Sequence, residues 1–203
     1  MSVTVGLMAD HHLEYMMVRD LVALLHGRVP EIGVRVIFAH GDVGRLDKGR
    51  NRVVEHFLER DTEWLLWIDS DMTFNPSDFD ALYRRAQAGN KIVSGLYYRD
   101  SDPPTPCMFR YQNAGDRKFL RVVKEFRKGP MNVDGVGLGF CLVHRSVYEK
   151  IPAPWHDNTL KGPGGDGLAD DSSFCYQAQQ AGFQIVVDTS VVLGHIKPTV
   201  LLG

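Results

Sequence analysis

The residues that could do chemistry come in two acidic pairs. "WIDSDM" carries Asp69 and Asp71, and "ADDSSF" carries Asp170 and Asp171. Carboxylates at i and i+2 repel unless something positive sits between them. A divalent cation such as Mg²⁺ or Mn²⁺ would offset that repulsion and bridge the pair to a diphosphate, as hard oxygen ligands allow. The same pattern also arises as a helix cap. Asp170 and Asp171 open a helical stretch, where the helix dipole favours a carboxylate and simple capping is one reading. The other is a general base that takes a proton from a hydroxyl. The two are compatible, although the dipole that keeps the acid ionised also lowers its basicity. His195, after the apolar run "IVVDTSVVLG", is either a structural histidine or a third ligand for a Mn²⁺-type ion. Arg50, beside Lys48, Gly49 and Asn51, is either a surface cation or a bidentate holder of phosphate oxygens.

These residues need stiff mounts, and the chain supplies strands. "VTVGLMA" (Val3–Ala9) reads as a buried strand, and "HLEYMMVRDLVALLHG" as a helix with a glycine stop. "GVRVIFAHG" is a second strand running into Asp42. "DKGRNRVVEHFLERD" is a second amphipathic helix, and "EWLLWI" a third strand by its aromatic and β-branched content. "NPSDFDALYRRAQAG" then carries Asn75 at the cap, Pro76 at the first helical position, Asp78 in the first turn and Gly89 at the stop. "KIVSGLYY" is a fourth strand. Strands alternating with helices predict a parallel sheet covered on both faces, with ligands at the carboxyl ends of its strands. Asp10, Asp42 and Asp69 all fall at those ends.

The second half reads differently. "DSDPPTPC" is a turn-rich connector whose prolines exclude a central strand. Residues 108–126 form a hairpin turning at "QNAGD". "NVDGVGLGFCLVHRSVYEKI" is a strand with three glycines and then a short helix. Pro152 to Ala169 is a long Gly/Pro loop, and such loops are usually functional. "DDSSFCYQAQQAG" is a further helix, and "FQIVVDTSVVLGHI" supplies one or two closing strands. The segment "DRKFLRVVKEFRK" (Asp116–Lys128) gathers Lys and Arg, either as the solvated face of the hairpin or as a contact for an anion.

Composition narrows the class. The chain has 203 residues, 44% apolar and 24% charged, as one soluble globular domain would. No apolar run approaches the roughly 20 residues of a membrane span. The start "MSVTVGLMAD" lacks a signal-peptide pattern, so the cytoplasm is the expected location. Three spaced cysteines, Cys107, Cys141 and Cys175, predict neither a zinc site nor a disulfide framework. A net charge of −2 gives no global pull toward nucleic acid.

In order along the chain, Asp42, "GRN", "WIDSDM", "GVGLGFCLVHRSVYEKI" and "ADDSSFCYQAQQAGFQIVVDTSVVLGH" resemble a GT-A glycosyltransferase of the family 2 type, above all its compact phage and bacterial members. The likeness runs from Val3 to His195. It implies an α/β, Rossmann-like single domain over residues 1–203 with a mostly parallel central sheet and helices on both faces. Residues 1–100 would form the nucleotide-sugar and metal half, and 101–203 the acceptor half. It implies a hexosyltransferase that takes sugar from a nucleotide-diphosphate donor, UDP-sugar favoured over GDP-sugar, with Mn²⁺ or Mg²⁺. The acceptor would be a glycan, a protein or a modified DNA base. On this likeness Asp10, Asp42, Arg50, Asp69 and Ser70 lie on the nucleotide-sugar. Asp71 and His195, with Asp69, hold the metal. Asp171 is the base of an inverting reaction, and Asp170 stands where the family pattern has Glu. Trp155 would stack on a sugar from the loop, and Gly137 and Gly139 would let an acceptor approach the strand. Two other classes compete. A nucleotidyltransferase of similar fold would carry a Gly-rich basic loop after the first strand, where this chain has "MADHHLEY". A non-catalytic nucleotide-sugar or glycan-binding module would have no need of both acidic pairs and His195.

Overall fold

A computed structural model describes residues 2–9, 13–32, 35–40 and 46–197. Asp10 and Asp42 lie outside the described residues. The first half runs β1 (Val3–Ala9), α1 (Tyr15–Ile32), β2 (Arg35–His40), α2 (Leu46–Leu58), β3 (Trp64–Asp69), β4 (Met72–Thr73), α3 (Pro76–Gln87) and β5 (Ile92–Leu96). The second runs β6 (Tyr98–Arg99), β7 (Thr105–Pro106), β8 (Met108–Ala114), β9 (Arg117–Val122), β10 (Pro130–Val133), β11 (Gly135–Val136) and β12 (Phe140–His144). It continues through α4 (Arg145–Lys150), α5 (Asp170–Gln180), β13 (Ile185–Val192) and β14 (Gly194–His195).

Seven strands make the central sheet, in the order β10-β13-β5-β12-β3-β1-β2. β1 lies parallel to β2 and β3, and β13 parallel to β5. β12 enters between β3 and β5 and runs against both, and β10 runs against β13. The sheet is therefore mostly parallel, and its two antiparallel strands come from the half where the strand–helix alternation lapses. Nothing in "GFCLVH" marks its direction, because an apolar run buried on both faces looks alike in either sense.

β3 explains the core. Its side chains alternate between faces, as any strand's must. Leu65 and Trp67 join Val53 and Phe57 of α2, Tyr148 of α4 and Phe174 of α5 on one face. Trp64, Leu66 and Ile68 join Met17 and Leu24 of α1 and Phe79 and Leu82 of α3 on the other. Leu65, Leu66, Trp67 and Ile68 are each 0% exposed. A strand buried on both faces and hydrogen-bonded on both edges cannot shift, so the residues that follow it are fixed in space.

One local expectation differs from the structure. α1 does not stop at Gly27 but continues to Ile32. Gly27 has open space where a Cβ would stand, and an exposed helical glycine costs only about 1 kcal/mol. The hairpin turns within "QNAGD", as expected, at Gly115 and Asp116, with Ala114 paired to Arg117, and Gly115 takes the positive φ of 61° that the tight turn requires. α3 starts as read: Pro76 is its first residue, and the Asp78 carboxylate accepts from the Asn75 backbone N–H at 2.8 Å. Among the described residues no helix is long and apolar enough to cross a membrane.

Candidate active site

The site lies where β3 ends. Met8 of β1 sits beside Asp69 in register, and the Ser70 N–H donates to the Met8 carbonyl at 2.9 Å. The Ser70 carbonyl accepts from Glu14 N at the start of α1, and the Asp69 N–H donates to the Gly139 carbonyl. Ser70 is thus a backbone staple between two strands and a helix. Beyond it, β4 pairs with β14, placing His195 opposite Met72. That short ribbon brings a residue from the end of the described chain to Asp71.

His195 Nδ1 lies 2.8 Å from the Tyr98 carbonyl oxygen, which can only accept, so Nδ1 carries a proton and donates. Nε2 then faces Asp71 Oδ2 at 3.1 Å, and a neutral ring would point a lone pair at a carboxylate. A proton must occupy that line, with Nε2 donating to the Asp71 carboxylate. The hydrogen bond that Nε2 donates to Asp71 raises the His195 pKa, against the opposing effect of burial. Lys197 Nζ sits on the same oxygen at 2.6 Å. Burial pushes Asp71 up, but His195 and Lys197 outweigh it and hold the carboxyl down at about 2.

Asp69 faces elsewhere. Arg50, 2% exposed, rises from α2 into the gap between β3 and α5. Its Nη2 donates to Asp69 Oδ1 at 3.1 Å, and its Nε to Asp170 Oδ2 at 2.9 Å. Asp171 Oδ1 lies 3.2 Å from the same Nε. The guanidinium rests over the Trp67 ring, 5.1 Å from its centroid. One cation thus faces three carboxylates. Burial opposes its charge, the three acids more than restore it, and its pKa is raised. Arg50 is neither a surface cation nor a free phosphate clamp: only Nη1 lacks a partner.

Asp171 is held from a second side, where Leu138 N–H donates to its Oδ2 at 2.9 Å. Burial drives its pKa upward, and Asp170 and Asp69 add to the rise against the pull of Arg50. Desolvation likewise raises Asp69. The space a side chain would need at Gly137 and Gly139 is filled by Tyr97, whose hydroxyl accepts from Gly139 N–H at 3.1 Å. The Tyr97 ring meets His195 edge-on at 5.4 Å. Trp155 donates its indole N–H to the Tyr148 carbonyl at 2.9 Å and borders an open cavity of about 600 Å³ with Lys48, Asn51 and Arg52.

Three more residues lie in or beside the site, and two of them, His156 and Asp20, were not legible in the sequence. His156, 1% exposed, stacks on Phe174 at 5.3 Å, and neither ring nitrogen has a partner. Its ligand atom and those of Asp170 and Asp171 lie within 4.8 Å of one another, so this trio could also hold a metal ion. Burial, then Arg50, push the His156 pKa far down, leaving a neutral ring. Asp20 of α1 accepts from Phe74 N at 3.0 Å and from the Thr73 hydroxyl, anchoring β4 behind Asp71. Asn51 clamps the loop through both His156 backbone groups, donating to O at 2.7 Å and accepting from N at 3.1 Å. "GRN" carried a signal for Asn51; His156 and Asp20 had none.

The chain that carries this arrangement has known relatives. Residues 20–151 match the family described as Glycosyl transferase family 2. A crystal structure of A197 from STIV superposes with a TM-score of 0.67 at 20% identity, covering 98% of this chain and 87% of that one. At that identity the likeness concerns the fold, which is α/β of the GT-A type. No curated protein matches the sequence. Since the matched segment spans well over half of the chain, the protein belongs to glycosyl transferase family 2.

Proposed function

We propose that this glycosyltransferase is a metal-dependent, inverting hexosyltransferase that uses a UDP- or GDP-sugar and transfers to a hydroxyl of a glycan, a protein or a modified DNA base. Residues 1–100 form its donor half and 101–203 its acceptor half. The observation that carries the reading is the facing of His195 Nε2 and Asp71 Oδ2 at 3.1 Å, with Nδ1 already committed to Tyr98. A donor set of one imidazole and hard carboxylates suits Mn²⁺ or Mg²⁺, which would take the place of the Nε2 proton and bind both groups from the side. Asp71 and His195 would hold that ion, with Asp69 at its edge. Bound there, it would neutralise charge developing on the leaving diphosphate.

The chain's own residues do the rest. Arg50 keeps Asp69, Asp170 and Asp171 from repelling one another apart, and Leu138 N–H fixes one oxygen of Asp171. The acceptor hydroxyl attacks the anomeric carbon from the side opposite the diphosphate. A new C–O bond forms, the bond to the phosphate oxygen breaks with its electron pair leaving on the nucleoside diphosphate, and Asp171 takes the hydroxyl proton. Its raised pKa makes it a better proton acceptor than an ordinary carboxylate. Ser70 positions the donor side through its backbone bonds to β1 and α1. Trp155 would stack on a sugar at the rim of the open cavity, and the Gly/Pro loop would close over the donor to limit hydrolysis.

Titrating the protein with UDP- and GDP-sugars, with and without Mn²⁺, tests this. Metal-dependent binding of at least one donor, with nucleotide released on adding an acceptor panel, supports it. Metal-independent binding, or none, refutes it.

A further inference from the structure

The basic segment of the β8–β9 hairpin has no role in the site described above. Arg110, Arg117, Lys118, Arg121 and Lys124 are all exposed. Among the described residues none of the five forms an ion pair with a carboxylate. On a chain of net charge −2 this is a local excess of unbalanced positive charge.

Register sorts these residues. Arg117, Phe119 and Arg121 alternate along β9 and so share a face. Opposite them across the ladder stand Ala114, Gln112 and Arg110. The other face turns inward, with Leu120 and Phe109 packed around Gly135. Arg110 and Arg121 are direct cross-strand partners, and like charges so placed destabilise a hairpin. The Arg121 guanidinium lies 5.7 Å from the Phe119 ring centroid. The outward face therefore reads cation, aromatic, cation over about 14 Å, at about 3.4 Å per residue. β9 is the edge strand of its three-stranded sheet.

Two segments connect this face to the reacting groups. β11 pairs with β8 and runs on to Leu138, whose N–H holds Asp171. A Cβ on Gly164 would stand 3.5 Å from the Phe119 ring, and Gly164 belongs to the loop that ends at Asp170. A strand lying along the hairpin would be led toward the proposed base.

We infer that the outward face of the β8–β9 hairpin binds single-stranded nucleic acid, with Arg110, Arg117 and Arg121 on phosphates and Phe119 stacked on a base. Alternating cations and an aromatic ring match a sugar–phosphate strand with π-faced bases; Arg110 spends one N–H on the Asn132 carbonyl at 2.8 Å, but a neutral glycan gives arginines without a carboxylate partner nothing to neutralise. That this strand carries the acceptor rests on the transferase reading; the binding itself does not.

Fluorescence anisotropy of a labelled oligothymidylate with the full chain, at a series of salt concentrations, tests it. Binding should weaken with salt, and Arg117→Gln/Arg121→Gln should flatten the log–log slope by about 1.4, at about 0.7 per lost phosphate contact. Phe119→Ala should weaken binding by about tenfold or more. No binding at low salt, or an unchanged slope in the double variant, overturns the inference. So does equal competition by polyglutamate together with an unaffected Phe119→Ala, which would make the face a generic polyanion surface. Binding of UDP- and GDP-sugars with Mn²⁺, measured on the same variants, should be unchanged. Loss of donor binding in the parent chain would refute the transferase reading and leave this one standing.

Discussion

Replacing Asp171 with Asn separates the catalytic from the structural meaning of the Arg50 cluster. Asn keeps the shape and can still accept from Leu138 N–H, but it removes one of three negative charges around a single guanidinium. The Asp171 pKa is pushed up from 3.8 to about 7, burial being the largest cause. Below about pH 4 the carboxyl is protonated in both the folded and unfolded chain, and the site imposes no penalty. Between there and about 7 the unfolded chain releases the proton that the folded one keeps, so stability falls as pH rises. At 1.36 kcal/mol per unit the full shift has a ceiling of about 4 kcal/mol. Asp171 keeps 23% of its side chain exposed and shares Arg50 with two neighbours, which brings the realistic figure to about 1–2 kcal/mol. Asp171→Asn should therefore be more stable than the parent at pH 8, by that amount in urea unfolding, and level with it near pH 4. Transfer should fall by about 10²- to 10⁴-fold, as for loss of a general base. The parent's rate should climb with pH through the neutral region. Destabilisation by Asn at pH 8, or retained transfer, would refute the reasoning.

Two further outcomes follow from the same geometry. Arg50→Met leaves Asp69, Asp170 and Asp171 facing one another and should lower stability by about 3–5 kcal/mol, read as a melting-temperature drop on the order of 10 °C. Lys197→Met frees the Asp71 oxygen that the ammonium now occupies, and Mn²⁺ should bind a few-fold tighter by calorimetry, on the scale of an exposed ion pair at about 0.2–1 kcal/mol.

The placing of Asp69 and Asp71 at the end of β3 was legible because its signals are local. An apolar run into "DSD" and a capped helix at Asn75–Pro76 fix both sides of Asp69 and Asp71 without reference to the rest of the chain. The pairing of His195 with Asp71 came only through family likeness, since the β4–β14 ribbon that makes it is two residues long on each side. The Arg50 cluster was not legible, because periodicity reports which face of a helix is apolar. It cannot report that a buried arginine will find three acids from β3 and α5. Asp20 was invisible for the same reason: its partners, Thr73 and Phe74, lie more than 50 positions away. The antiparallel entry of β12 left no trace because direction is a property of pairing, not of composition. His156 stands in a polar loop sequence, yet the loop folds it under Phe174.

The account depends on Asp71 and His195 as the donor's metal-binding pair. The direct measurement is release of UDP or GDP from a panel of nucleotide-sugars, with Mn²⁺ or with chelator, by the parent, Asp71→Ala and His195→Ala chains. The account predicts release from at least one donor by the parent with Mn²⁺, little with chelator, and little from either variant, both still folded by circular dichroism. Equal release by parent and variants, or release indifferent to metal, would contradict it.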